Sequence, residues 1–225
     1  MIKAIIFDVG GTLLGAPDLF EKISDFSKHS SFSKLEIYSK SKEIFEELLT
    51  ECRNGGQFRK VSEIIEMTMK KLFEFNPSEV KKVAKRLYWK VFVTDSFLFD
   101  DTKLTLDKLF NDGIELIVSS DADEKLICEQ FNKHKIDKYI SDYYISSAVG
   151  AYKPNDKVAK ILKERIKRYN PKNVLFVGDS RVDIEIGKKI GVNTVRVGKD
   201  NNNLFNEDYS IMKLRELFTI TEVNP

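Results

Sequence analysis

Residues 4–13 read AIIFDVGGTL, and the change of character at Asp8 decides the fold. A short apolar run passes without a polar break into a carboxylate, which Val9, Gly10, Gly11 and Thr12 follow. A run this short, apolar at successive positions, predicts a strand buried on both faces. In an open α/β sheet, ligands collect outside the carboxyl ends of the strands. Asp8 is therefore predicted to stand where chemistry takes place. The two glycines carry no Cβ and let backbone amides come close to an anion. A strand-end Asp that merely caps a turn is the competing reading of the same residues.

Further along, the same texture returns in IELIV at 114–118, YYIS at 143–146, NVLFV at 173–177 and NTVRV at 193–197. Helical patterns lie between these runs. Residues 122–134 follow Asp121, predicted as the N-cap, with Glu124 three residues later. Segment 156–168 carries Val158, Ile161, Leu162 and Ile166 at helical spacing, and 182–190 follows the fourth run. Strand and helix in alternation predict an α/β fold, a Rossmann-like parallel sheet with right-handed crossovers.

Residues 17–93 have no such alternation. Val61, Ile64, Ile65, Met69, Leu72 and Phe73 follow a 3.6-residue period, as do Val80, Val83, Ala84, Leu87, Tyr88 and Val91 after Pro77 and Ser78. Gly55 and Gly56 divide the stretch into helical halves. An all-helical insert of roughly 75 residues between the first two sheet strands is the reading. A polar patch at 201–203 marks a late loop.

Composition narrows the function classes. Thirty-seven Lys and Arg against thirty-five Asp and Glu leave a net charge of +2, which gives no electrostatic case for a nucleic-acid partner. The first apolar run stops at Asp8, and no later run approaches the roughly 18 residues of a membrane span. Cys52 and Cys128 lie far apart without metal-ligand spacing, and are expected to be buried free thiols. A cytoplasmic enzyme fits these features.

Three further signals sit after the later strands. Ser119 and Ser120 end the second run, where a hydroxyl and amide at a helix start could hook a phosphate. Lys153, in GAYKPND, precedes a helix expected to begin near Pro154. In VLFVGDSRVDI (174–184), Asp179 and Asp183 stand four apart at a strand end, a pair suited to a hard cation. Capping, or a solvated charge in the case of Lys153, is the alternative for each alone.

Taken in order, these residues resemble the four motifs of the haloacid dehalogenase (HAD) superfamily over residues 1–14 and about 100–200. The resemblance implies an α/β core formed by 1–15 and 95–225, with 16–94 as a helical cap hinged near 15–18 and 94–101. It implies a Mg²⁺-dependent hydrolase in which Asp8 is the nucleophile and forms an aspartyl-phosphate. Gly11, Thr12, Ser119, Ser120 and Lys153 would bind the phosphoryl group of a small phosphorylated metabolite. Asp8, the Gly10 carbonyl and Asp179 would hold the metal, with Asp183 contributing. The expectation is physically sound, because a carboxylate attacking a phosphate dianion needs positive charge between the two anions.

One departure stands out. Phosphatases of that superfamily usually read D-x-D-G-T, and here Gly10 takes the place of the second Asp, the acid that protonates the leaving group. Either the leaving group needs little help, or a cap side chain or water substitutes, or the reaction differs. A 2-haloacid dehalogenase, which also lacks that Asp, and a degenerate member that binds without turnover are the rival readings. A sugar-kinase or actin-like phosphate turn is disfavoured by the helical insert that follows at once.

Overall fold

Strand β1 (Ala4–Phe7) runs through the middle of the molecule because its side chains have apolar partners on both faces. Ile5 and Phe7 pack into one buried cluster, Ala4 and Ile6 into another. The structure, a computed structural model, describes residues 1–198 and 203–223. Of the polar patch at 201–203, positions 201 and 202 fall outside the described residues.

After β1 come β2 (Leu14–Gly15) and the helices α1 (Leu19–Ser24), α2 (Lys34–Arg53), α3 (Val61–Leu72) and α4 (Pro77–Trp89). A single π-helical turn, Lys90–Thr94, leads to β3 (Phe97–Leu98). Then follow α5 (Thr102–Asn111), β4 (Glu115–Ser120), α6 (Glu124–His134), β5 (Asp142–Ile145), α7 (Ser146–Val149) and α8 (Asp156–Ile166). The chain continues through β6 (Val174–Gly178), α9 (Arg181–Ile190), β7 (Asn193–Val197), β8 (Tyr209–Ile211) and α10 (Leu217–Val223).

Six strands form one parallel sheet in the order β5-β4-β1-β6-β7-β8. Leu106 and Leu109 of α5 and Leu126, Ile127 and Phe131 of α6 cover the face that holds Phe7. Val158, Leu162 and Ile166 of α8, with Ile186 and Ile190 of α9, cover the opposite face. Each such side chain contributes about 1.5–3 kcal/mol on full burial. The register positions the site: Phe7 lies opposite Val118 of β4 and Val177 of β6. Asp8, Ser119 and Gly178 therefore leave the sheet at one level, on three adjacent strands.

The five strands expected from the sequence are all present, and β8 adds a sixth that its three residues did not announce. Two helix starts differ. Helix α6 begins at Glu124 with Asp123, not Asp121, in the N-cap position, because Asp121 is engaged elsewhere. Helix α8 begins at Asp156, and Asn155 caps it by accepting from the Lys157 amide at 2.9 Å. Cys52 is buried as expected, whereas Cys128 is exposed on α6.

Between β1 and β4 the chain builds helices with clear local causes. Ser33 and Glu36 form a capping box at the start of α2, with the Ser33 amide donating to Glu36 Oε2 at 2.8 Å. Asn76 caps α4, and Pro77 fills its first turn. The chain enters and leaves this helical segment through two touching strands, since β2 pairs antiparallel with β3, Gly15 opposite Phe97. A Cβ at Gly15 would lie 2.3 Å from the Phe97 ring, which packs directly over the glycine. No helix among the described residues is long and apolar enough to cross a membrane.

Candidate active site

Lys153 is the hub of the site. Its side chain is 2 % exposed, and its ammonium donates to Asp8 Oδ1 at 2.6 Å, Asp183 Oδ1 at 2.5 Å and the Ser119 carbonyl at 3.0 Å. Two strand ends and the first turn of α9 thus supply its partners. A buried ammonium is costly unless paired. Burial works against the Lys153 charge, but the carboxylates of Asp183, Asp8 and Asp121 outweigh it and hold the pKa above the ordinary lysine value.

The carboxylates cluster around this one cation. One oxygen each from Asp8, Asp179 and Asp183 lie within 4.8 Å of one another. Burial pushes the Asp8 pKa well up; Lys153 opposes the rise, and the negative charges of Asp183 and Asp179 reinforce it. Asp179 is pushed up to about 6, chiefly by burial and then by Asp183. Three carboxylates facing one ammonium leave an excess of negative charge, and a divalent cation is the natural neutraliser.

The three acids are not equivalent. Asp183 uses Oδ1 for Lys153 and Oδ2 for the Ser180 amide and hydroxyl, at 3.1 and 2.5 Å. It closes the capping box of α9 and steadies the lysine at once. Gly178 makes room for it, since a Cβ there would sit 2.3 Å from the Asp183 Cβ. Asp179 is partly exposed toward the cavity.

The turn after β1 is shaped by Gly11. Its φ of +80° lies in the left-handed region, and a Cβ would come within 2.2 Å of Asp179 Oδ2. Its amide donates to the Leu14 carbonyl at 2.9 Å, so Gly11 serves the site by lacking a side chain rather than by lending an N–H. Gly10 lines the cavity beside Asp8, and a Cβ there would meet nothing within 4 Å. The buried Ser119 Oγ has no hydrogen-bond partner among the described residues, whereas the Thr12 hydroxyl lies beside the Asp179 carboxylate and helps to lower its pKa. An orphaned buried hydroxyl beside one ammonium and three carboxylates fits an oxyanion with a metal. Ser119 and Ser120 end β4 itself, and the helix starts four residues past Ser120, so these serines do not stand at a helix N-terminus.

A cavity of about 520 Å³ opens in front of this cluster, lined by Asp8, Gly10, Gly11, Ser120, Lys153 and Asp179 at its polar end. Residues of the helical segment close the other end, among them Phe45, Leu49, Arg53, Tyr88 and Phe92.

Reading the sequence missed the contacts that join the two parts. Asp121 Oδ1 accepts the Lys153 main-chain N–H at 2.9 Å, and its Oδ2 pairs with Arg53 Nη2 at 3.2 Å. Asp123 accepts from the Val61 amide at 3.0 Å and the Ser62 hydroxyl at 2.5 Å at the start of α3. The Tyr152 hydroxyl donates to the Arg59 carbonyl at 2.7 Å. The acidic spacing of SSDAD reads as a cap motif, and nothing local points to partners some 60 residues upstream.

Residues 5–197 match the family model described as haloacid dehalogenase-like hydrolase. The phosphoglycolate phosphatase of Pasteurella multocida is 29 % identical over 189 residues, which cover 81 % of this chain and 79 % of that protein. YfnB of Bacillus subtilis, assigned as a HAD-hydrolase and solved bound to magnesium, superposes with a TM-score of 0.78 at 18 % identity, covering 99 % of each chain. The L-2-haloacid dehalogenase of Xanthobacter autotrophicus gives 0.75 at 15 % identity, covering all of both chains. At those identities the two structures speak for the fold alone.

Proposed function

The chain belongs to the haloacid dehalogenase-like hydrolases, and on that footing we propose that it is a Mg²⁺-dependent phosphatase of a small phosphorylated metabolite. The observation that carries this reading is the buried contact of Lys153 with Asp8, with Asp179 alongside. The likeness to a phosphoglycolate phosphatase along most of the chain supports it.

In this reading an Asp8 oxygen attacks phosphorus, the leaving oxygen departs with the bonding pair, and an aspartyl-phosphate remains on Asp8. Water then attacks that phosphorus, releasing inorganic phosphate and restoring the carboxylate. Mg²⁺, held by Asp8, Asp179 and the Gly10 carbonyl, would supply the charge that lets two anions meet. Lys153 adds a fixed positive charge at the transferring phosphoryl group, and Ser119, Ser120 and Thr12 offer hydroxyls to its oxygens. Asp183 holds Lys153 in place. Residues 16–94 act as a cap over a core of 1–15 and 95–225, swinging about 15–18 and 94–101 to admit substrate and exclude water.

Gly10 favours a second reading, a 2-haloacid dehalogenase, because a halide leaves without a proton. Phosphate release from a metabolite panel, with Mg²⁺ and with EDTA, separates the two. We expect release that EDTA abolishes and that Asp8→Asn eliminates while the protein stays folded. EDTA-resistant halide release from 2-chloropropionate, with no phosphate from any ester, would install the second reading instead.

A further inference from the structure

The cavity before Asp8 has one charged end and one largely apolar end. Leu19, Phe45, Leu49, Tyr88, Phe92 and Leu126 form most of that wall, with Arg53 and Gln130 its polar members. Most of what is attached to the phosphoryl group must lie against apolar side chains, where a polyhydroxylated group would surrender more hydrogen bonds to water than the two polar residues replace.

The same cavity is poor in acids that could hand a proton to a leaving oxygen. Asp8 is the nucleophile, and Asp179 belongs to the proposed metal set. Both oxygens of Asp121 already accept hydrogen bonds. Lys153 spends its ammonium on three oxygens. The Tyr88 hydroxyl accepts from the Asp123 amide at 3.4 Å, and burial, with Asp123 nearby, pushes its pKa well above the usual phenol value. At Gly10, two residues from the nucleophile, the cavity is bare where a side chain could project.

An apolar wall and the lack of an available acid, among the described residues, converge on one substrate chemistry. Building on the phosphatase reading, we infer that the substrate is a phosphorylated compound with an apolar skeleton whose leaving oxygen departs unprotonated, an aryl phosphate or an apolar acyl phosphate. The Asp8–phosphorus bond forms as the phosphorus–oxygen bond breaks. The electron pair leaves on a phenolate or carboxylate, which takes any proton from water. Hydrolysis of the aspartyl-phosphate expels a carboxylate and needs no acid either.

The test compares phosphate release, with Mg²⁺, from 1-naphthyl phosphate, benzoyl phosphate, hexyl phosphate and glycerol phosphate. Wild type should show kcat/KM at least about 100-fold higher for naphthyl or benzoyl phosphate than for the two alkyl esters, in line with the 10²–10⁴-fold that a positioned acid contributes. Whichever of the two is preferred tells aryl from acyl. Gly10→Asp should raise the hexyl-to-naphthyl ratio of kcat/KM at least about tenfold, while Gly10→Asn should not raise that ratio. Alkyl esters turned over as fast as aryl ones by wild type, or a Gly10→Asp effect equal on both classes, would overturn the inference alone. Release from none of the four would remove the phosphatase reading and the inference with it.

Discussion

Asp121 grips the main-chain N–H of Lys153 with one oxygen, at 2.9 Å, while its other oxygen reaches Arg53 at the end of α2. One carboxylate thereby links the helical segment to the loop that carries the central lysine. Burial raises the Asp121 pKa, and Lys153 and Arg53 pull against that rise.

Removing this carboxylate should matter beyond stability. Asp121→Ala leaves a buried N–H unpaired, which costs about 1–3 kcal/mol, and frees the Lys153 loop to shift. We expect a drop of at least about tenfold in kcat with a smaller change in KM, read by steady-state kinetics beside urea melts. Asp121→Asn retains an acceptor for the Lys153 amide and should recover most of kcat. Equal losses in both variants would show that the amide contact does not position the lysine.

Gly11→Ala meets two obstacles, a φ of +80° and a carboxylate 2.2 Å from the new Cβ. Gly55→Ala meets only the first, since its φ is +92° and the space around it is open. Both should lose about 1–2 kcal/mol from left-handed backbone strain. Only Gly11→Ala should also weaken Mg²⁺ binding, measured by calorimetric titration, because Asp179 must move aside. Matching Mg²⁺ affinities in the two variants would contradict that account.

Acid stability should depend on two glutamates far from the cavity. Burial alone would raise the Glu115 pKa, but hydrogen bonds from Arg165, Arg168 and Tyr169 prevail and hold it at about 2. Glu207 is likewise held at about 2 against burial, by Arg196 and Ser210 among its hydrogen-bond donors. Folded pKa values below the unfolded value mean that both contribute fully above about pH 5 and lose that contribution as pH falls toward 2. Urea midpoints should therefore decline over this window. Glu115→Gln and Glu207→Gln should be less stable at pH 7 and show a shallower decline; unchanged slopes would count against the assignment.

The sheet was legible in the sequence because its strands are buried on both faces. Uninterrupted runs such as AIIF at 4–7 and VLFV at 174–177 leave few alternatives, and each ends in its polar residue at the ligand side. Asp8 and Asp179 were legible for the same reason, whereas Lys153, set apart from β5 by α7, was legible only as one of four motifs taken in order. Asp121 was not, because its place ahead of a helical pattern reads as a local cap, while its actual partners, Arg53 and the Lys153 amide, are distant in sequence. Strand β8 and the β2–β3 pair escaped because two or three residues carry no periodicity. The individual hydroxyls were easier to name than to place: Ser119 belongs to a strand end, not to a helix start.

The central position of β1 also bears on how the protein is made. Its two neighbours, β4 and β6, come from residues 115–120 and 174–178, so the first strand to leave the ribosome must wait for most of the chain before both its edges are flanked. Until β6 has been synthesised, one edge of an entirely apolar strand has no native partner, the kind of unpaired edge that invites aggregation. The helical stretch between packs largely on itself, and its long-range ties to Asp121, Asp123 and Tyr152 can follow, so its helices can gather before the sheet beneath them is complete.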